Sequence, residues 1–144
     1  MSVAIEEARA AGLRGEVPVG AAIVIEGTIV ARAGNRTLAD DDPTAHAEML
    51  AIRMAAAKLG SQRLTGADLY VTLEPCAMCA AAISFARIRR LYFGASDEKG
   101  GAVENGPRFF ALPTCHHAPE VYGGLRENEA GGLLSEFFKA RRER

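Results

Sequence analysis

The sequence predicts an α/β fold in which one mixed β-sheet is covered by helices on both faces. The first observation is the order of periodic segments, because a helix and a hairpin are followed by helix, strand, helix, strand and helix. The second is size and composition: 144 residues, 49% hydrophobic and 24% charged, are ordinary for one soluble globular domain. We therefore expect residues 1–144 to form a single domain around one core.

A short helix followed by a β-hairpin is predicted for the first part of the chain. Residues 3–13 place small and apolar side chains at helical spacing among acids and arginines. Residues 19–25 and 28–33 are apolar and partly β-branched, and they meet at Glu26-Gly27. Two such runs joined by two residues, one of them glycine, are typical of a hairpin.

A polar loop and a second helix come next. The loop covers residues 35–43 and contains three consecutive aspartates, which we interpret as a solvated turn. The helix is predicted over residues 45–59, with Thr44 as its N-cap and Gly60 as its C-terminal stop.

The second half of the chain alternates between strands and helices. Residues 69–73 and 91–94 have the length and composition of buried strands, and residues 76–86 between them form a predicted helix. From residue 95 to 120 the period is lost, and a short strand follows near Val121. The last helix has the clearest period, which is carried by Ala130, Leu133, Leu134, Phe137 and Phe138.

The net charge and the distribution of apolar and charged residues restrict the partners and the location of the protein. The formal net charge is −1, so any nucleic-acid contact has to come from a local basic patch, such as residues 139–144 with four positive residues and one negative. No apolar run approaches the roughly 18 residues of a membrane span. The first residues carry acids where a signal peptide is basic. We therefore expect a cytoplasmic protein without a membrane segment.

Two fragments have the residue types of a zinc site: His46-Ala47-Glu48 and Pro75-Cys76-Ala77-Met78-Cys79. Cysteines three residues apart project from one face of a helix, and Pro75 suits a first helical position. Two thiolates and one imidazole fill three corners of a tetrahedral zinc site, and an open fourth corner is typical of a catalytic zinc. Both fragments begin predicted helices, where the helix dipole favours thiolates and other negative charge.

Each fragment alone is a weak signal, but together they match the deaminase pattern H-x-E…P-C-x-x-C. A thioredoxin-type redox motif would leave His46 unexplained. Glu48 lies two residues from His46, so on an ideal helix its side chain has to reach round the first turn. The run Cys115-His116-His117 stays open as a loop element, an RNA contact or a second metal site.

The chain resembles the bacterial tRNA-specific adenosine deaminases of the cytidine deaminase-like superfamily. The resemblance rests on the segments 17–20, 35–36, 44–48, 70–79, 93–95 and 137–142. It implies a three-layer α/β/α sandwich with a mixed five-stranded sheet, a homodimer and a substrate, the wobble adenosine of a tRNA anticodon stem-loop, converted to inosine. It also implies one Zn²⁺ per subunit on His46, Cys76 and Cys79, with Glu48 transferring protons.

The resemblance also implies which residues meet the substrate. Asn35 matches a position that contacts the target nucleoside, and its amide both donates and accepts hydrogen bonds. We expect stacking and phosphate contacts at the end of the last helix, and burial of at least one of its two phenylalanines. The full set of expected substrate-binding residues is Asn35, Ala47, Pro75, Asp97, Lys99, Phe138, Arg141 and Arg142.

Two other functions share the zinc motif. One is deamination of a free base or nucleoside, such as guanine or cytosine, which does not need a basic C-terminal helix. The other is a non-catalytic zinc RNA-binding subunit, which does not need the carboxylate of Glu48.

Overall fold

The fold is built on a five-stranded mixed sheet. A computed structural model describes residues 1–142. The strands are β1 Gly20–Ile25, β2 Thr28–Gly34, β3 Ala67–Leu73, β4 Arg90–Ala95 and β5 Glu120–Tyr122, in the order β2-β1-β3-β4-β5. Strand β1 is antiparallel to both β2 and β3, whereas β3, β4 and β5 are parallel to one another.

Helices cover both faces of this sheet. They are α1 Ser2–Leu13, α2 Ala47–Leu59, α3 Ala77–Phe85 and α4 Glu127–Arg142. Helices α1 and α4 contact each other and the sheet, while α2 and α3 form a second contacting pair. The three-layer α/β/α sandwich with a mixed five-stranded sheet is confirmed.

The main core lies between the sheet and the α2/α3 layer. Ile23, Leu69 and Leu91 lie side by side in register on β1, β3 and β4, and all three are fully buried. Small buried alanines on α2 and Ile83 on α3 pack against them. Burial of a large aliphatic side chain contributes about 1.5–3 kcal/mol, so this cluster is a main source of stability.

The opposite layer depends on two glycines that let helices approach the strands closely. A Cβ on Gly20 would lie 2.0 Å from the carbonyl oxygen of Ala4 in α1. A Cβ on Gly94 would lie 2.9 Å from the Cβ of Ala130 in α4. Larger residues at either position would push a helix away from the sheet.

The predicted hairpin is confirmed, and its turn has a definite geometry. Glu26 and Gly27 have φ angles of 49° and 78°, and positive φ at both central residues is typical of a type I′ turn. This turn matches the right-handed twist of β1 and β2, so a two-residue connection suffices.

Two predicted helix starts were too early, by two residues for α2 and by one residue for α3. The N-cap of α2 is His46, not Thr44, because Thr44 donates both its backbone N–H and its hydroxyl to Asp42. Helix α3 begins at Ala77 with Cys76 as N-cap, so Pro75 precedes the helix. Both metal-site fragments therefore present an N-cap residue with extended backbone.

The segment between β4 and β5 has no regular period in the sequence and contains only a 3₁₀ turn, Phe109–Ala111, and loops. The short predicted strand near Val121 is confirmed as β5. Among residues 1–142, no helix combines the length and the apolar character needed to cross a membrane.

Candidate metal centre and active-site cavity

Three potential metal ligands meet where α2 and α3 begin. The Nδ1 atom of His46 lies 3.7 Å from Sγ of Cys76 and 3.5 Å from Sγ of Cys79. All three ligand atoms lie within 4.8 Å of one another, and no other such cluster occurs among residues 1–142. Parallel strands β3 and β4 end beside them, so the site occupies the carboxyl edge of the sheet.

These distances fit zinc. With zinc bonds of about 2.3 Å to sulfur and 2.0–2.1 Å to nitrogen, a tetrahedral angle places sulfur and nitrogen about 3.6 Å apart. The observed separations of 3.5 and 3.7 Å bracket that value. Within the described part of the chain the cluster has three members, which leaves the fourth position of a tetrahedral site for water or substrate.

The chemistry of the donors also suits a metal. Hydrogen bonds from Cys79 and His46 lower the pKa of the Cys76 thiol well below its ordinary value. The proton shared within this pair stays on Cys79, whose pKa is raised by Cys76 and by burial. A cation at this position would replace that proton, because metals bind the thiolate form.

Glu48 reaches the metal cluster because the backbone before it is not helical. His46 has φ −74° and ψ 152°, so the backbone is extended at this residue and becomes helical only at Ala47. The first turn therefore does not separate the two side chains as an ideal helix would, and both His46 and Glu48 line one cavity. Glu48 is only 4% exposed.

The balance between burial and hydrogen bonding distinguishes Glu48 from the other two buried glutamates. Burial raises the pKa of Glu48 to about 6, and the smaller effects of its own backbone N–H and of nearby His46 do not offset this. Burial also acts on Glu16 and Glu74, but hydrogen bonds from backbone N–H groups outweigh it and hold both pKa values below normal. Only Glu48 is thus poised to gain and lose a proton near neutral pH.

A cavity of about 260 Å³ leads to these residues and is called here the inner cavity. Its walls combine apolar side chains with Glu48 and two of the ligands, His46 and Cys76, an arrangement typical of small-molecule sites. Its lining residues outside the metal cluster are Val17, Val19, Asn35, Thr37, Glu48, Leu73, Glu74, Asp97 and Gly100.

Asn35 lines the inner cavity, but its amide makes two hydrogen bonds within the protein. Its Oδ1 accepts a hydrogen bond from the Ala47 N–H at 2.8 Å, and its Nδ2 donates to the Val17 carbonyl at 3.2 Å. The second Nδ2 hydrogen and one lone pair of Oδ1 are not used in these two bonds.

Ala47 and Pro75 lie behind the cavity rather than on its surface. Ala47 is fully buried and its N–H is bound to Asn35. Pro75 is also fully buried, and its carbonyl accepts a hydrogen bond from Ala102 at 2.9 Å. Neither residue is part of the lining of the inner cavity.

A larger groove of about 1000 Å³, called here the outer groove, continues from the inner cavity. The two share Val17, Leu73, Asp97 and Gly100. The structure brings five of the predicted substrate residues together along the outer groove: Asp97, Lys99, Phe138, Arg141 and Arg142.

The comparisons with known proteins agree on the family. The model of the cytidine and deoxycytidylate deaminase zinc-binding region matches residues 1–95. The tRNA-specific adenosine deaminase of Agrobacterium fabrum is 64% identical over 142 residues, which cover 99% of this chain and 93% of that protein. This chain belongs to the tRNA-specific adenosine deaminase family.

Solved structures of other deaminases share the fold of this deaminase chain. A structure from a study of A-to-I editing by tRNA:A34 deaminases at the wobble position has a TM-score of 0.92 at 66% identity. The matched region covers 93% of this chain and 97% of the chain in that structure. A guanine deaminase from Bacillus subtilis has a TM-score of 0.64 at 30% identity, covering 98% and 90% respectively.

The end of α4 in this deaminase chain differs from the prediction in one respect. Neither phenylalanine is buried: Phe137 is half-buried and Phe138 is 44% exposed. Arg141 lies over the ring of Phe137 at 4.2 Å and donates to the carbonyl of Gly15 at 2.7 Å. The helix end is thereby fastened to the turn after α1, and the Phe138 ring remains available at the outer groove.

The run of Cys115, His116 and His117 is a loop element in this deaminase chain. Ser84, at the end of α3 away from the metal cluster, donates to the carbonyl of His117 at 2.6 Å. His117 Nε2 donates to the carbonyl of Ile88, and the Cys115 thiol to that of His117. These bonds fasten the loop before β5, and within residues 1–142 the run does not form a second metal cluster.

Sequence reasoning missed Glu16 and Glu74, which fasten the two loops beside the inner cavity. Glu16 accepts hydrogen bonds from the residues 37–39, and Glu74 accepts them from residues 96–105. The available signal was a carboxylate at the edge of an apolar segment: Glu16 precedes Val17, and Glu74 follows strand β3.

Proposed function

We propose that this protein hydrolytically deaminates adenosine to inosine at the wobble position of a tRNA anticodon, using zinc. The observation that carries the proposal is that the protonatable Glu48 lines one cavity with His46 and Cys76, which form the metal cluster together with the buried Cys79. The likeness of this chain to a tRNA-specific adenosine deaminase over nearly its whole length supports wobble adenosine as the substrate.

The residues of the inner cavity are suited to move protons at the reacting ring. His46, Cys76 and Cys79 would hold zinc, which would act as a Lewis acid and lower the pKa of a water molecule at the site to about 7. As water adds at C6 of adenine, a carboxylate oxygen of Glu48 takes one of its protons and passes it to N1. Glu48 then carries the second proton to the 6-amino group, which leaves as ammonia and yields inosine.

The cavity wall is suited to hold the base. The remaining Nδ2 hydrogen of Asn35 is a donor at the cavity surface, and Val17, Val19 and Leu73 supply apolar contact. The fully buried Ala47 supports this wall through its bond to Asn35. Pro75 sets the start of α3, because it precedes the Cys76 N-cap.

The outer groove is suited to RNA flanking the target base. The exposed ring of Phe138 offers a stacking surface, and Lys99, Arg141 and Arg142 offer positive charge for phosphates. Asp97 stands where the inner cavity and outer groove join.

The direct test is incubation of the zinc-loaded protein with tRNA carrying adenosine at the wobble position, followed by sequencing for inosine. Glu48→Ala is the matched control, with zinc content measured on both proteins. We expect inosine only with the wild-type protein, and zinc bound to both. Full activity of Glu48→Ala would overturn the proton-transfer assignment.

The same assay separates the two alternatives. Release of ammonia from free guanine, cytosine or adenosine, without reaction on tRNA, would identify a free-base or nucleoside deaminase. Tight RNA binding with no deamination of any substrate would identify a non-catalytic subunit.

The chain works as a homodimer in this proposal. Met54 and Leu59 on α2 and Phe85 on α3 are large apolar side chains that are 46%, 44% and 78% exposed. Because α2 and α3 contact each other, a second copy covering this layer would remove them from water. Light scattering coupled to size exclusion measures the state, and a monomeric mass would contradict it.

Two further parts of the proposal concern organisation and location. Residues 1–144 act as one deaminase domain, since the ligands come from both α2 and α3 around a shared core. The protein acts in the cytoplasm, where tRNA is available and thiols stay reduced, consistent with the three free cysteines among the described residues.

A further inference from the structure

The Glu74 carboxylate is buried and accepts hydrogen bonds from both ends of one loop. It is 2% exposed and accepts six hydrogen bonds, all from residues 96–105, called here the 96–105 loop. Oε2 accepts the backbone N–H groups of Val103, Glu104 and Asn105 at 2.9–3.1 Å. Oε1 accepts from Asp97 N–H at 3.0 Å, from the Asn105 amide at 2.7 Å and from the Ser96 hydroxyl at 3.3 Å.

The loop is also shaped to leave room for this carboxylate. A Cβ on Gly101 would lie 2.5 Å from both Cδ and Oε2 of Glu74, closer than any ordinary contact. Glu74 itself is held at the end of β3, because its N–H donates to the Ala95 carbonyl at 2.8 Å. Glu74 therefore fixes the position of the loop relative to the end of strand β3.

The 96–105 loop carries the residues that join the two halves of the site. Asp97 and Gly100 line both the inner cavity and the outer groove, and Ser96 and Lys99 line the outer groove. Within the loop, Asp97 Oδ1 accepts the N–H groups of Lys99 and Gly100 at 3.1 and 2.9 Å. Moving the Asp97 backbone would thus move Lys99 as well.

We propose that Glu74 is a positioning residue for the RNA substrate: it sets the distance between the metal cluster and the loop that carries Asp97 and Lys99. This inference rests on the proposed function, because it names how the same site receives RNA. Glu74 does so through the loop and takes no part in proton transfer. All six of its hydrogen bonds end on loop atoms, and Glu48 remains the proton carrier.

The test compares Glu74→Gln with Glu16→Gln. In Glu74→Gln a side-chain NH₂ replaces one oxygen and faces three N–H or O–H donors, whichever way the amide is turned. Glu16→Gln removes the same charge from the other buried anchor, which binds Thr37, Leu38 and Ala39. None of residues 37–39 lines the outer groove, although Thr37 lines the inner cavity.

Three experiments are made on each protein: zinc analysis, amide hydrogen exchange, and steady-state kinetics that give kcat and KM for an anticodon stem-loop. In Glu74→Gln we expect normal zinc content, lost protection at residues 97 and 103–105, and a raised KM. Misplacement of the loop by about 1 Å is expected to lower kcat/KM by about tenfold to a hundredfold. In Glu16→Gln we expect lost protection only at residues 38 and 39.

Each other result has a definite meaning. A purely structural role for Glu74 would lower the folded fraction, and hence the apparent kcat, with KM unchanged, and would overturn the proposal. So would unchanged KM with unchanged protection. If Glu74→Gln does not fold, Asn105→Ala removes the side-chain amide that donates to Glu74 and to Ser96 but keeps the backbone bonds of the loop, and it is expected to raise KM less, but in the same direction.

Failure of the proposed function would give a different result from failure of the role assigned to Glu74. Wild-type protein would then not form inosine in any RNA, whereas the exchange pattern of the two variants would still report which loop each carboxylate holds. Wild-type activity together with unaltered kinetics in Glu74→Gln would reject the positioning role alone.

Discussion

The side-chain amide of Asn35 holds two parts of the active-site wall together and leaves one hydrogen for substrate. Oδ1 accepts from the buried Ala47 N–H at 2.8 Å, and Nδ2 donates to the Val17 carbonyl at 3.2 Å. Two substitutions separate these roles. Asn35→Ala removes both bonds, while Asn35→Asp keeps an acceptor for Ala47 at the start of α2, where negative charge is favourable.

The expected magnitudes follow from these contacts. Loss of the bond to Val17 costs about 1 kcal/mol, and loss of the bond to Ala47 costs about 1–3 kcal/mol because it leaves that fully buried N–H without a partner. We therefore expect Asn35→Ala to lower the free energy of unfolding by about 2–4 kcal/mol. Asn35→Asp loses mainly the bond to Val17 and is expected to cost about 1 kcal/mol.

Urea denaturation of both variants measures stability, and deamination of an anticodon stem-loop measures kcat/KM. Because both variants lose the Nδ2 donor, we expect both to lose at least about tenfold in kcat/KM. Equal stability losses in the two variants would refute the assigned bond to Ala47. Retention of full activity by Asn35→Asp would refute a donor role for the amide toward substrate.

Two further predictions concern a loop anchor and the outer groove. Hydrogen bonds hold the pKa of Glu16 below its ordinary value of 4.5, so its ionised form stabilises the fold fully above that pH. The stability advantage of wild type over Glu16→Gln, measured by urea denaturation across pH, is therefore expected to shrink as pH falls below 4.5 toward the lower folded-state pKa. A constant difference would contradict this assignment. Phe138→Ala is expected to raise KM for tRNA about tenfold, because stacking contributes about 1–3 kcal/mol per base. Ile29→Ala, an equally exposed residue on the edge strand β2, serves as the control, and an equal rise there would contradict a specific contact.

Most of the architecture could be predicted because its signals are local. The hairpin followed from two apolar runs around Glu26-Gly27, and the structure confirms it with a turn in which both residues have positive φ. The helical period near Leu134 likewise predicted α4. The parallel pairing of β4 with β5 had no local signal, because the connecting segment is irregular.

The sequence also predicted the metal ligands, but not the backbone that makes the site work. Counting residues on an ideal helix suggested that His46 and Glu48 point apart. The structure places His46 at an extended N-cap, and both side chains line the inner cavity. The difference arises because N-cap geometry depends on what satisfies the preceding residues, here the bonds between Thr44 and Asp42.

By itself the sequence determined the chemistry available to this protein: one imidazole and two thiols for zinc, and a carboxylate beside them. Only the tertiary structure decided the state and task of each carboxylate. Glu16, Glu48 and Glu74 are the same residue type and are all buried. Two of them accept hydrogen bonds from distant loops and stay ionised, whereas burial dominates at Glu48 and raises its pKa to about 6. The number of donors that reach a carboxylate is set by long-range folding, and neighbouring residues in the sequence do not reveal it.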